Sequence, residues 1–194
     1  MSRTSKPYPS EVATLKNIVT KDWSLPNTSV DEVYPGIFVG NAIIAKDIRA
    51  LAHLGVTHII NAACGVDSIR FVDTSELFYI SRNYKCKFLG IPAMDVPTYQ
   101  LNRYFNETSA FIDDAVQSGG KCLIHCIQGI SRSATLVIAY LMMKKELTVY
   151  DALSLVRNKR KIWPNDGFLV QLLELGSYHS RMRIAYQQNN YSLR

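Results

Sequence analysis

His125-Cys126-Ile127-Gln128-Gly129-Ile130-Ser131-Arg132-Ser133 is the stretch on which the reading of this chain turns. The residues leading into it, 121–125 (KCLIH), have the length and apolar character of a buried strand. Those leading out, 132–145, have the length of an apolar helix. The order is therefore strand, tight glycine-containing loop, helix start. Such a loop turns several backbone N–H groups toward one point, and the helix adds the positive end of its dipole. The product is an anion cradle of phosphate size. Cys126 stands at its entrance, where the same field favours the thiolate, the reactive form of the side chain. Arg132, six positions on, offers a planar fork for two phosphate oxygens. Ser131 and Ser133 set hydroxyls beside the sulfur, and His125 is placed to fix the loop through a backbone hydrogen bond. A bare Cys-x5-Arg arises by chance in roughly one chain in ten of this length. The preceding His, Gly129 and the two serines make coincidence far rarer.

Outward from the loop, strands alternate with helices. Residues 10–20 carry Val12, Leu15, Ile18 and Val19 at helical spacing, with Ser10 as N-cap and Glu11 in the first turn. Residues 36–40 (GIFVG) read as a strand. Asn41 then caps a helix to Leu54, closed by Gly55. Residues 56–61 (VTHIIN) read as a buried strand, 63–82 resist assignment, and 87–91 form a strand ended by Pro92. Residues 101–117 are helical, stopping at Gly119 and Gly120. Thr148 with Asp151 resembles a capping box for a helix to Lys159, and Asn165 caps a last helix through Leu175. Beyond Ser180 the chain is polar, as a frayed tail would be. The class is α/β, one domain with a central sheet covered by helices on both faces. Ligands of such sheets bind at the carboxyl ends of strands, which directs attention to the strand ending at His125.

The composition is compatible. With 194 residues, 47% hydrophobic and 20% charged, the chain is long and apolar enough for one globular core. No apolar run approaches the roughly 18 to 20 residues that span a bilayer. Residues 1–10 lack the apolar centre of a secretory signal, so a soluble protein of the cytoplasm, and also of the nucleus, is expected. Cys64, Cys86, Cys122 and Cys126 have no zinc-like spacing and are too few for a disulfide scaffold, which suits a reducing compartment. A net charge of +6 suits acidic partners such as phosphoproteins, and equally well suits plain solubility. No metal-ligand cluster is visible, and neither metal nor other cofactor is expected.

Expelling an oxygen leaving group from a phosphate ester held in such a cradle calls for a proton donor. Asp95, in IPAMDVPT, follows a strand and precedes Pro97, a loop carboxylate at the edge of the sheet. Asp67, Asp73, Asp113 and Asp114 are the alternatives, the last two inside a helix. The run 157–161 (RNKRK) reads either as a basic rim that steers acidic substrates or as a helix end complementing its own dipole. Asn165 has two readings, helix cap and support of the Cys126 loop. Tyr34, Tyr99 and Tyr104 are candidates for an aromatic mouth. Cys122 is expected to pack in the sheet, with a regulatory disulfide to Cys126 as the alternative.

HC-x-x-G-x-SRS resembles the phosphate loop of dual-specificity protein phosphatases. The likeness extends to VIAYLMM (137–143), Pro164-Asn165, NDGFLVQL (165–172), EVYPGIFVGNA (32–42) and VTHIINAA (56–63), and spans about residues 12–176. SLPN (24–27), after an N-terminal helix, is similar to the VHR-type subgroup. The resemblance implies a helix and connector in residues 1–30, a catalytic domain with a mixed sheet in 31–180, and a tail in 181–194. It implies hydrolysis of phosphotyrosine and phosphoserine/threonine in proteins through a phosphocysteine. Cys126 would be the nucleophile, Arg132 the phosphate clamp, Asp95 the acid and then the base, and Ser133 the hydroxyl that eases thiolate departure. Ile127, Gln128, Gly129, Ile130, Ser131 and Arg132 would bind the phosphate, with His125 and Asn165 supporting the loop. Arg160 matches a second-phosphate arginine of the subgroup, whereas Ile127 stands where VHR-type members carry a basic residue. Lipid phosphatases of the superfamily carry lysines in this loop. The uncharged Ile127, Gln128 and Ile130 point instead to phosphoproteins, MAP kinases among them by resemblance, with no nucleic-acid or membrane partner. The rival readings are a phosphoprotein-binding module, a phosphatase of RNA, glycan or lipid, and unrelated Cys-x5-Arg chemistry such as arsenate reduction. Inactive relatives usually lack the cysteine, the arginine or the acid, and this chain has all three.

Overall fold

The structure is a computed structural model that describes the backbone of residues 9–191 and the side chains of residues 9–182. Expectations for residues 1–8 and 192–194 lie outside the described residues.

The sheet grows from short runs in which consecutive side chains are all buried. β2 (Ile37–Gly40), β3 (His58–Asn61) and β5 (Cys122–His125) each bury all four residues. Strands buried on both faces belong in the middle of a parallel sheet between two helical layers. The order is β1-β2-β5-β3-β4, with β1 (Val30–Tyr34) antiparallel to β2 and β4 (Lys87–Gly90) parallel to β3. Alternate side chains feed two cores. Ile37, Val39, Ile60, Cys122 and Ile124 face the larger one, and Phe38, Ile59 and Leu123 face the smaller. The mixed α/β sheet with helices on both faces is thus observed.

The smaller core is closed by α2 (Ala42–Lys46), α3 (Ile48–Leu54) and α4 (Glu76–Ile80). Asn41 caps α2 as expected, its side chain accepting from the Ile43 and Ile44 N–H groups. The helix does not run unbroken to Leu54. Asp47 interrupts it, and its carboxylate accepts from Ala50 N–H at 3.0 Å to start α3. A short acceptor that can bond the local backbone competes with helix continuation. Gly55 closes α3 at φ 73°. The unassigned 63–82 segment holds only α4 and a single bridge, Cys64 to Val72. It is pinned by buried Asn61, whose amide donates to the carbonyls of Val72 and Thr74.

The larger core takes α1 (Pro9–Thr20), α5 (Phe105–Gln117), α6 (Arg132–Lys144), α7 (Val149–Lys159) and α8 (Asp166–Tyr191). α6 is buried on all sides from Arg132 to Met142, as an all-round apolar helix must be. Three boundaries differ from expectation. Pro9 opens α1, so Ser10 lies in its first turn rather than at its cap, and proline suits a first helical position. Residues 101–104 form a 3-10 turn before α5 begins. α8 passes Leu175 and carries helical backbone to Tyr191, where residues 181–194 were expected to form a frayed tail. Among the described residues no helix is long and apolar enough to cross a membrane.

Candidate active site

β5 occupies the centre of the sheet, and its last residue, His125, lies level with Gly40 of β2 and Asn61 of β3. The chain leaves β5 for α6 in the larger core, whereas β2 and β3 on either side of it lead into α2 and α4 of the smaller core, so a crevice opens above it. The loop there must turn sharply to enter α6. Gly129 makes the turn at φ 68°, and a Cβ on it would sit 2.5 Å from the Gly40 carbonyl oxygen. Only glycine meets both demands.

Cys126 lies at the floor, 2% exposed. Gly129 N–H points at its sulfur at 3.3 Å, and Ser133 Oγ stands 3.3 Å away on the other side. Burial by itself would raise the thiol pKa. The Arg132 charge, the Ser133 hydroxyl and the backbone N–H groups of Ser133 and Ile130 outweigh it, and the thiol lies below its ordinary value. The helix end adds to this because Ser131, at the α6 cap, makes no side-chain cap hydrogen bond. Its hydroxyl is used elsewhere, so the first-turn amides remain for an anion.

Arg132 is buried and oriented by carbonyls. Nη1 donates to Ala93 O at 2.9 Å and Arg70 O at 3.0 Å. Nε has no hydrogen-bond acceptor among the described residues, the nearest charge being Asp95 Oδ2 at 3.6 Å. A buried donor left open is costly unless something fills it. Here the opening faces an anion cradle, and an oxyanion fits it.

Asp95 is held over the same floor. Its Oδ1 accepts from Ser131 Oγ at 2.7 Å and from Asn165 Nδ2 at 2.8 Å. Asn165 also donates its own N–H to Ser131 Oγ at 3.2 Å, and its Oδ1 caps α8 by accepting from Phe168 N–H at 3.1 Å. Both sequence readings of Asn165 are met, and its grip on Asp95 is new. Of the four competing carboxylates, Asp73 is exposed and does not line the cleft, and the other three are engaged elsewhere. Asp67 binds Arg70, Asp113 pairs with Lys144, and Asp114 takes Lys87 and His58.

His125 is fully buried and its pKa is pushed down to about 3, chiefly by burial, so the imidazole is neutral. Nε2 lies 3.5 Å from Thr74 Oγ1, while Nδ1 lacks a partner of full hydrogen-bond geometry and has only a weak interaction with the Cys126 backbone. The backbone hydrogen bond expected of His125 is thus not formed with full geometry, and Thr74, its other neighbour, lies outside the loop.

Arg160 requires correction. It was expected to meet a second phosphate, but it lies beneath the loop, 2% exposed. Nε donates to Gly129 O at 2.7 Å and Nη2 to Gln128 O at 3.1 Å, while Nη1 pairs with Asp31 Oδ2 at 2.7 Å. A guanidinium so engaged and so buried supports the loop's carbonyls and does not line the cleft above Cys126. Neither reading of the 157–161 cluster describes it fully. Arg157 is buried too, donating to the carbonyls of Val19 and Lys21 at the end of α1. Cys122 packs in the sheet as expected. Four steps of extended chain, at about 3.3 Å each, set it about 13 Å from Cys126, beyond disulfide reach.

The cleft measures about 510 Å³ and is lined by Cys126, Ile127, Gln128, Ile130, Ser131, Arg132, Asp95 and Asn165, together with Trp23, Leu25, Ile69 and Trp163. Gly129 serves through its backbone, and Ser133 reaches only the sulfur. The aromatic mouth is built from two tryptophans. Tyr34, Tyr99 and Tyr104 instead pack, partly buried, against the larger core. Sequence reasoning missed the tryptophans, although Trp163 directly precedes Pro164-Asn165, and that adjacency was the available signal. Among the described residues no three His, Cys, Asp or Glu side chains gather as a metal site.

Comparison with known proteins agrees with this geometry. Residues 37–178 match the model of the dual specificity phosphatase catalytic domain. Human dual specificity protein phosphatase 13B is 39% identical over 170 residues, covering 87% of this chain and 83% of its own. The crystal structure of human DUSP28 superposes with a TM-score of 0.69 at 28% identity, over 81% of this chain and 99% of that one. A mouse putative dual specificity phosphatase, solved in complex with zinc tungstate, gives 0.70 at 28% identity, over 80% and 91%.

Proposed function

Because the chain belongs to the dual-specificity phosphatase family, and so hydrolyses phosphotyrosine and phosphoserine/threonine in proteins, we propose that Cys126, Arg132, Asp95 and Ser133 carry the reaction. The observation that supports this most directly is the convergence on one floor of a thiol with lowered pKa, an open Arg132 Nε and the Asp95 carboxylate. The Cys126 thiolate attacks phosphorus. Arg132 and the loop amides hold the equatorial oxygens where charge builds. Asp95, protonated, gives its proton to the leaving oxygen, and Ser131 and Asn165 keep it in reach. A phosphocysteine results. Water then attacks it, Asp95 takes the water's proton, and Ser133 donates to the departing sulfur. Tungstate in the mouse relative is a tetrahedral oxyanion, the shape this cradle would take.

The VHR-type subgroup, MAP kinases as substrates, signalling, and action in the cytoplasm or nucleus belong to the same proposal. They are supported by the resemblance and by four cysteines that are all unpaired.

Phosphate release from an aryl phosphate and from matched phosphotyrosine and phosphothreonine peptides, in EDTA, tests the assignment. Turnover is expected from wild type and none from Cys126→Ser. Asp95→Asn is expected to slow peptide turnover by about 10²- to 10⁴-fold, the usual worth of a general acid. Folded, reduced wild-type protein that released nothing from any of them would defeat the proposal.

A further inference from the structure

The cleft is charged only at its floor. Arg132 is the one cation among the described residues that line it. Four cations near it already have partners. Arg160 lies under the loop, Arg157 and Lys161 hold the carbonyls that follow α1, and Arg70 binds Asp67. A second phosphate seated in the cleft would meet no further cation among the residues that line it.

Its walls are apolar instead. Trp163 is tied to the phosphate loop by its backbone N–H, which donates to Ile130 O at 2.9 Å. Trp23 packs edge-on against it, ring centroids 5.0 Å apart at 82°. The Arg157 guanidinium stands 5.8 Å from the Trp23 ring and steadies it from behind. Trp163 is 36% exposed, Leu25 66% and Ile69 85%. Large apolar side chains gathered on the rim of one cleft, rather than scattered, mark a contact surface. Two of them are aromatic and held in place before any ligand arrives, as binding anchors are.

We propose that this lip selects substrate segments that carry a single phosphate and a bulky apolar side chain within two residues of it. That side chain seats on Trp23, Leu25, Ile69 and Trp163. The inference rests on the phosphatase reading above and adds the substrate class. Continuity identifies the occupant. Lip and cradle are walls of one cleft, so a peptide whose phosphate reaches Cys126 must lay its neighbouring residues across the lip. An extended chain advances about 3.3 Å per residue, which keeps the two nearest positions over it.

The test compares kcat/KM of the full chain on phosphotyrosine peptides that differ only at the flanking positions. These carry leucine, alanine or a second phosphate on threonine, and an aryl phosphate runs alongside. Leucine is expected to exceed alanine by roughly tenfold, the scale of discrimination an apolar pocket supplies, and the second phosphate to bring no gain. Trp163→Ala, and separately Leu25→Ser with Ile69→Ser, should collapse the leucine-to-alanine ratio toward one. Leu25 and Ile69 are exposed, so the double variant keeps the test open if Trp163→Ala does not fold. Equal rates on leucine and alanine peptides would overturn the proposal and leave the phosphatase reading standing. So would a large gain from the second phosphate, or a leucine preference that survives the double variant. A wild-type protein silent on the aryl phosphate as well would overturn both.

Discussion

At the scale of single residues, the outcome hangs on how a buried sulfur is charged. Burial opposes the Cys126 thiolate, and Arg132, the Ser133 hydroxyl and the loop amides reverse that sign. A lowered thiol pKa means that the anion persists at pH values where an ordinary cysteine is protonated. The rate of Cys126 alkylation by iodoacetamide against pH should therefore reach its plateau below the range of a free thiol. Removing one stabilising donor raises the pKa again, so Ser133→Ala should move the curve to higher pH and slow alkylation several-fold at pH 6. An unmoved curve would show that Ser133 does not stabilise the charge. Arg160 illustrates the opposite case. Its charge looked available in the sequence, yet it is consumed by Asp31 and the carbonyls of Gln128 and Gly129.

At the scale of elements, the acid depends on how its loop docks. Pro97, two residues after Asp95, lies against the first turn of α8 at Gly167. A Cβ there would come 1.8 Å from the Pro97 carbonyl oxygen, a clash with backbone that no side-chain rotation relieves. Gly167→Ala should therefore push the acid loop outward. A shift of about 1 Å in a catalytic group costs on the order of a hundredfold. The loss should appear with peptide substrates, whose leaving groups need a proton. It should be much smaller with an aryl phosphate of an acidic phenol, which leaves unaided. Equal losses on both would place the defect in the phosphate loop instead.

At the scale of the molecule, α1 is part of the body that carries the site. Leu15 and Val19 are fully buried in the larger core, and the carbonyls of Val19 and Lys21 are gripped by Arg157 of α7. The connector that follows supplies Trp23 and Leu25 to the cleft. Leu15→Ala should cost about 3 kcal/mol, as large-to-small changes in closed cores do, measured as a fall in the urea midpoint. A change below about 0.5 kcal/mol, the range of surface substitutions, would mean that α1 does not bear on stability.

Local patterns were legible without coordinates. The strand-loop-helix around Cys126, the caps at Asn41, Thr148 and Asn165, and the turn at Gly55 depend on residues a few positions apart, and the sequence determined them. Cys126 and Arg132 are six apart on one loop, and Asp95 follows a recognisable strand. What needed the tertiary structure was every partnership across long sequence distance: Asn165 on Asp95, Arg160 under Gly129 with Asp31, Arg157 at the end of α1, and Trp23 against Trp163. A charged or aromatic side chain does not carry its partner in its own local sequence. Whether it lines a cleft or is spent on a buried carbonyl is settled only when packing fixes which groups share the same few ångströms, as it did for Arg160 and for Trp163.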